Sequence, residues 1–419
     1  MTERVQDGSD GVAVDFLARL GAAMIAANDA IGLVRQTLTL ACNRYGLTDR
    51  FLLLPTYVQF VGFDRAAGTV VRVVSIDREL RFDQTFMLAE LVERVEQGKI
   101  GAKDGAAELD RIYRERPRFP AWVSVIGYAT QTAGLALILQ PTPLALMAAT
   151  IFGLLVGALG LVGRLSDAAG ELLPTFSAFL VALTVFTLGR HWHLGQDALQ
   201  ALVPPLALFL PGVAITLATI ELTTHEIVSG SSRLAAGAAR LAQLAFGILV
   251  AAQIAGVTAS DFTVQSENKL GWWAPWTGVA VYAVGLMLVY GPPAWFLPWL
   301  LAILFITYSS QIAADSIFGG YASGFGGGLA LMLCSQILSR RPNSPPTAAL
   351  IVPGFWLLVP GSIALIGVTA LAANNYSAIT VTLVSMMAIA LGMQTGLLLW
   401  RSYPQLRSTV RSKRRRDSR

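Results

Sequence analysis

One proline pattern occurs twice in this chain at a constant spacing. Val203-Pro204-Pro205 is followed, seven residues after Pro204, by Pro211-Gly212, and Val352-Pro353-Gly354 is followed, seven after Pro353, by Pro360-Gly361. The offset is 360 − 211 = 149, and the same shift lays Pro143 on Pro292, Phe176 on Phe325 and Gly247 on Gly396. Each copy holds five apolar segments. An odd number of crossings turns the second copy over relative to the first, which is the inverted-repeat plan of secondary transporters.

That plan requires a membrane, and the composition agrees. Hydrophobic residues make up 54% of the chain and charged residues only 14%, against about 25% charged in a soluble domain. Segments long enough for a hydrocarbon core about 30 Å thick run Ala121–Leu139, Pro143–Gly163, Pro174–Gly189, Ala198–Ile220 and Leu234–Gly256. A second set runs Ala274–Tyr290, Ala294–Ile312, Tyr321–Leu338, Ala348–Ala372 and Ile379–Trp400. The expected fold class is an all-α polytopic membrane protein with ten transmembrane helices in two inverted five-helix repeats.

Lys and Arg near the spans set the orientation. Arg111, Arg114, Arg116 and Arg118 precede the first span, Arg164, Arg233, Arg340 and Arg341 lie in loops of the same side, and Arg401 to Arg419 form a basic tail. The opposite loops hold only Arg190 and Lys269. Both termini are therefore expected in the cytoplasm. A basic tail beside a bilayer meets anionic lipid rather than nucleic acid.

Residues 1–118 differ in kind, with 16 Lys+Arg against 17 Asp+Glu. No signal peptide is expected, because Glu3, Asp7, Asp10 and Asp15 interrupt the apolar core one would need. Apolar spacing predicts one helix over Phe16–Tyr45 closed by Gly46, then strands Phe51–Leu54, Tyr57–Phe63 and Val70–Ile76, then helices Met87–Glu96 and Ala102–Tyr113. The expected organisation is a cytoplasmic amphipathic α+β domain over 1–118, membrane repeats over 119–258 and 270–402, and a basic tail over 403–419.

Few residues offer catalytic chemistry. Cys42 and Cys334 lie in different domains, so neither a structural disulfide nor a thiolate zinc site is expected. His191 and His193 lack further ligands, and no metal or cofactor is expected. The run Gly324–Gly328 lies within a span with no Lys-Ser/Thr after it, so it reads as close helix packing rather than a phosphate loop. A hydrolytic role for the N-terminal domain has no support beyond its α+β character.

The repeated motif is the remaining candidate. A proline inside a span removes a backbone donor, and the glycine after it lets the chain bend. Pro211-Gly212 and Pro360-Gly361 are thus expected to interrupt their helices at mid-membrane, with freed carbonyls facing a solute cavity. Thr216, Thr219 and Ser362 are the nearest hydroxyls. Beyond them Glu221, a turn at Ser229-Gly230, and Arg233 would let the two charges return toward each other, as a gate or as a clamp for an amino acid. Charges snorkelling toward water are the alternative.

Pro211-Gly212, Glu221, Ser229-Gly230 and Arg233 together resemble the proline-glycine, acidic, Ser-Gly and Arg pattern of the threonine/serine exporter family. Glu221 stands where aspartate is commoner, and His225 where a glycine is expected. The resemblance implies a multi-pass secondary exporter of threonine, serine or similar small amino acids in a bacterial plasma membrane, driven by an ion gradient. Proton antiport with alternating access is the expected mechanism. Membrane lipids are the other expected partners, and homo-oligomerisation stays open. The alternatives are a carrier of another small organic solute, or a membrane-bound enzyme or sensor acting through the N-terminal domain.

Overall fold

The computed structural model describes residues 10–47, 50–64, 68–76, 78–139, 141–163, 166–191, 198–256, 270–341, 344–358, 384–385, 387–400 and 402. The chain divides into two compact units. Residues Met1–Arg118, Val213–Ala236 and Tyr290–Pro293 form the first, and Phe119–Gly212, Gly237–Val289 and Ala294–Arg419 form the second.

In the first unit α1 (Asp10–Ala26) and α2 (Ile31–Tyr45) replace the single helix expected over Phe16–Tyr45. The break falls at Asn28, whose φ of 64° lies in the left-handed region that asparagine tolerates better than most residues. Apolar spacing continues across it because both helices face one core, so periodicity alone hides the break. Strands β1 (Phe51–Leu53), β2 (Tyr57–Asp64) and β3 (Gly68–Ser75) form an antiparallel sheet in that order. The register sets Phe51 opposite Phe60 and Val58 opposite Val74. Helices α3 (Phe82–Glu96) and α4 (Ala102–Arg114) complete the layer.

Phe16, Leu17, Leu20 and Met24 from α1 share a core with Val58 and Phe60 from β2, Leu91 from α3 and Leu109 from α4. Each such side chain contributes about 1.5–3 kcal/mol on full burial. Gly105 is needed here, since a Cβ on it would stand 2.4 Å from the Phe16 ring.

The helices that follow are α5 (Ala121–Ile138), α6 (Pro143–Val162), α7 (Asp167–His191), α8 (Ala198–Leu206), α9 (Gly212–Thr223), α10 (Ile227–Ala255), α11 (Ala274–Tyr290), α12 (Leu297–Phe318), α13 (Gly320–Leu338), α14 (Thr347–Leu357) and α15 (Met387–Trp400). Among the described residues, five helical stretches are long and apolar enough to cross a membrane: α5, α6, Ala168–Leu188 of α7, α10, and Ala294–Phe318, which includes α12. Shorter apolar helices occupy Gly212–Leu222, Ala274–Tyr290, Ser323–Leu338, Thr347–Leu357 and Met387–Trp400. Local chemistry explains some of the helix starts. Pro143 begins α6 with its φ preset, and Thr142 caps the first turn by accepting from Ala145 N at 3.2 Å.

Apolar lipid gives helices no hydrophobic reason to associate, so small residues let their backbones approach. A Cβ on Gly134 of α5 would stand 2.3 Å from Tyr282 N of α11, and one on Gly285 of α11 would stand 2.3 Å from Gln131 N of α5. The two helices run antiparallel there, Gly127 facing Leu288 and Gly278 facing Leu137.

Candidate functional site

The segment expected as one span over Ala198–Ile220 is two helices. Pro204 and Pro205 lie inside α8, which stops at Leu206 and passes through a 3-10 turn over Ala207–Phe209. Leu210 is extended (φ −69°, ψ 128°), and α9 begins at Gly212. Pro211 has no N–H to continue a helix, and Gly212 N donates instead to Leu210 O at 2.8 Å. The ending of α8 leaves carbonyls that need donors. One of these, Pro205 O, accepts from the Tyr128 hydroxyl of α5 at 2.5 Å.

Beyond the break, α9 carries Thr216, which is buried, and Thr219, whose hydroxyl donates to Ile215 O at 2.9 Å on its own helix. At its end stands Glu221, with a side chain 0% exposed. The chain then reverses at His225 rather than at Ser229-Gly230, which lie within α10. His225 has a φ of 67°, a conformation that favours glycine. Glu226 N closes this turn on Glu221 O at 2.8 Å.

The reversal brings α10 back along α9 in close approach. A Cβ on Gly230 would stand 2.7 Å from Leu222 Cγ and 2.9 Å from Ala218 O. This proximity carries Ser229 and Arg233 to Glu221. Ser229 Oγ donates to Glu221 Oε2 at 2.6 Å, and Arg233 Nε stands 3.2 Å from the same oxygen. That approach is charge contact without hydrogen-bond alignment: Arg233 Nε and Nη2 are buried, and neither has a hydrogen-bond partner among the described residues. A buried ion pair of this kind costs about 3–5 kcal/mol to break from one side.

The other carboxylate oxygen faces the N-terminal segment of the same unit. Ile31 N, the first amide of α2, donates to Glu221 Oε1 at 3.2 Å, and Arg35 meets both Glu226 oxygens at 2.9 and 3.1 Å. Asp29 lies two residues before Ile31, and burial pushes its carboxyl up to about 7.

The model of the ThrE family, described as "Putative threonine/serine exporter", matches residues 15–255. The chain belongs to this family. The match covers most of residues 1–118 and the first five apolar segments, and therefore includes Pro211-Gly212, Glu221 and Arg233. ThrE is a transporter family, which gives this chain a membrane setting and a small-molecule substrate class. No curated protein and no solved structure matches it.

Of the residues singled out in this ThrE member, the structure brings Glu221, Ser229 and Arg233 together and packs Gly230 against α9. Pro211 and Gly212 sit at the helix break, one α9 length before Glu221. Pro360, Gly361 and Ser362 lie outside the described residues, whereas Pro353, from the earlier half of that motif, lies inside α14. Sequence reasoning missed Ile31, Arg35 and Tyr128. A backbone amide leaves no compositional trace, and an arginine on an amphipathic helix looks like any solvated charge.

Proposed function

We propose that this ThrE protein is a secondary-active exporter of threonine, serine or similar small amino acids across a bacterial plasma membrane, working by proton antiport. The observation that carries this reading is the buried Glu221–Arg233 pair beside the reversal after a broken helix. An amino acid bears a carboxylate and an ammonium, and Arg233 retains a buried Nη2 donor with no hydrogen-bond partner among the described residues, suited to the former. The pair would open and close as the solute passes.

Alternating access follows from two inverted repeats and ten spans: α5, α6, α7, α8 with α9, and α10, then α11 to α15. Supporting this, α14 begins at Thr347 and α8 at Ala198, which is 347 − 198 = 149, the sequence offset. The packing of α6, α7 and α8 on one another recurs among α12, α13 and α14. Each fifth helix also crosses the third of its set through a glycine, Gly247 against Thr175 and Gly396 against Leu329. The antiparallel α5 and α11 are consistent with repeats of opposite orientation. Residues 1–118 would form the cytoplasmic domain, 119–258 and 270–402 the repeats and 403–419 a basic tail, with both termini in the cytoplasm. Pro211-Gly212 and Pro360-Gly361 would line the solute path, with Thr216, Thr219 and Ser362 nearby.

The test is efflux from cells loaded with threonine- or serine-containing peptides. Export dependent on the chain and abolished when the proton gradient is dissipated is the expected result. Export indifferent to the gradient would remove antiport, and none of either amino acid would remove the substrate class.

A further inference from the structure

Helix α2 begins without a cap of its own. Its N-cap position is Ala30, which has no side-chain acceptor, so the amide of Ile31 depends on a partner from elsewhere. That partner is Glu221, 190 positions later in the chain. A carboxylate at a helix N-terminus is favourable both as an acceptor and against the helix dipole. One turn further along the same face of α2, Arg35 forks onto both oxygens of Glu226. The two grips are matched. Ile31 and Arg35 engage the two carboxylates that flank the turn at His225.

Glu221 is thereby shared. Its Oε1 belongs to α2, and its Oε2 to Ser229 and Arg233 of α10. Whatever moves α2 moves the carboxylate with which Arg233 is paired. The Arg35–Glu226 bridge has side chains 44% and 22% exposed, and an ion pair so exposed adds little to stability. Its effect is to set where α2 sits on the turn.

We infer that α2 is a working part of the transport gate, and that Arg35 is a positioning residue which, through Glu226, holds α2 where its first amide fixes Glu221 against Arg233. The N-terminal domain then acts on export directly, through a two-point clasp on the turn between α9 and α10. This rests on Glu221 and Arg233 forming the gate proposed above.

Charge reversal in the full-length protein tests it, because a pair this accessible to water contributes little to stability. Arg35→Glu and Glu226→Arg, each inserted at the parental level, should lose most of the maximal efflux rate at an unchanged half-saturating solute concentration. The double exchange Arg35→Glu/Glu226→Arg should restore it. A purely structural role would lower the amount of inserted protein instead and would show no rescue. Parental efflux from Arg35→Glu, or a double exchange as poor as the single variants, overturns the clasp. Glu221→Gln, measured alongside, separates the two ideas. If it stops export while Arg35→Glu does not, the gate stands and the clasp falls; if Glu221→Gln exports normally, the gate reading itself is wrong.

Discussion

The carboxylate of Glu221 and the guanidinium of Arg233 lie 3.2 Å apart on helices that meet at the His225 turn, with the Glu221 side chain 0% exposed and that of Arg233 11% exposed. Charges buried to this degree are costly unless each compensates the other. Removing both should therefore cost less than the two single removals added together. Glu221→Gln and Arg233→Gln are each expected to reduce efflux strongly, and the double variant to lose less than the sum of the two. Additive losses in the transport assay would show two independent surface charges.

Glycines at the helix break and at the helix crossings should respond differently. Gly212→Leu, and by the repeat Gly361→Leu, should abolish export while the protein still inserts, because each fills the proposed solute path. Gly134→Ala and Gly285→Ala should instead lower thermal stability in detergent by about 1–3 kcal/mol, since the new methyl meets a neighbouring backbone that cannot yield. Gly160 has open space around it and should accept alanine without loss.

Burial lifts Asp29 from its ordinary 3.8 to about 7. The folded protein then keeps a proton that the unfolded chain releases, so this group stabilises the fold fully below pH 3.8 and its contribution is lost as pH rises to about 7. Thermal melts of the full chain should show Asp29→Asn holding its stability better than the parent as pH rises from 5 to 7. Parallel curves would mean that Asp29 ionises in the ordinary range.

Topology is open to labelling. Cysteines introduced at Gln196 and Ser266 should react with an impermeant thiol reagent in intact cells, whereas those at Ser344 and Ser408 should react only after lysis. Native Cys42, fully buried in the core of the first unit, should stay unlabelled until the protein unfolds. Reaction at Ser344 from outside would contradict both the ten-span count and the inverted repeat.

Much of the architecture is legible along the chain because its causes are local. The span expected over Pro143–Gly163 follows from length and apolarity, and α6 runs Pro143–Val162, long and apolar enough to cross a membrane. The interruption at Pro211-Gly212 follows from a missing donor, and α8 and α9 part there. In the N-terminal segment the strand order is readable from β-branched runs between turn residues.

Where local rules compete, packing decides. Asn28 splits an expected helix because α1 and α2 must both face the core that holds Phe16 and Leu38. The reversal falls at His225, against its backbone preference, because Gly230 has to lie within α10 where it touches Ala218 and Leu222. The sequence alone determined the membrane class, the helix break and the charges that stand near each other on two consecutive helices. Only the tertiary structure decided that Glu221 also caps α2. That contact joins a backbone amide to a carboxylate 190 residues away, and no periodicity, propensity or spacing encodes a hydrogen bond whose partners meet only once the chain has folded.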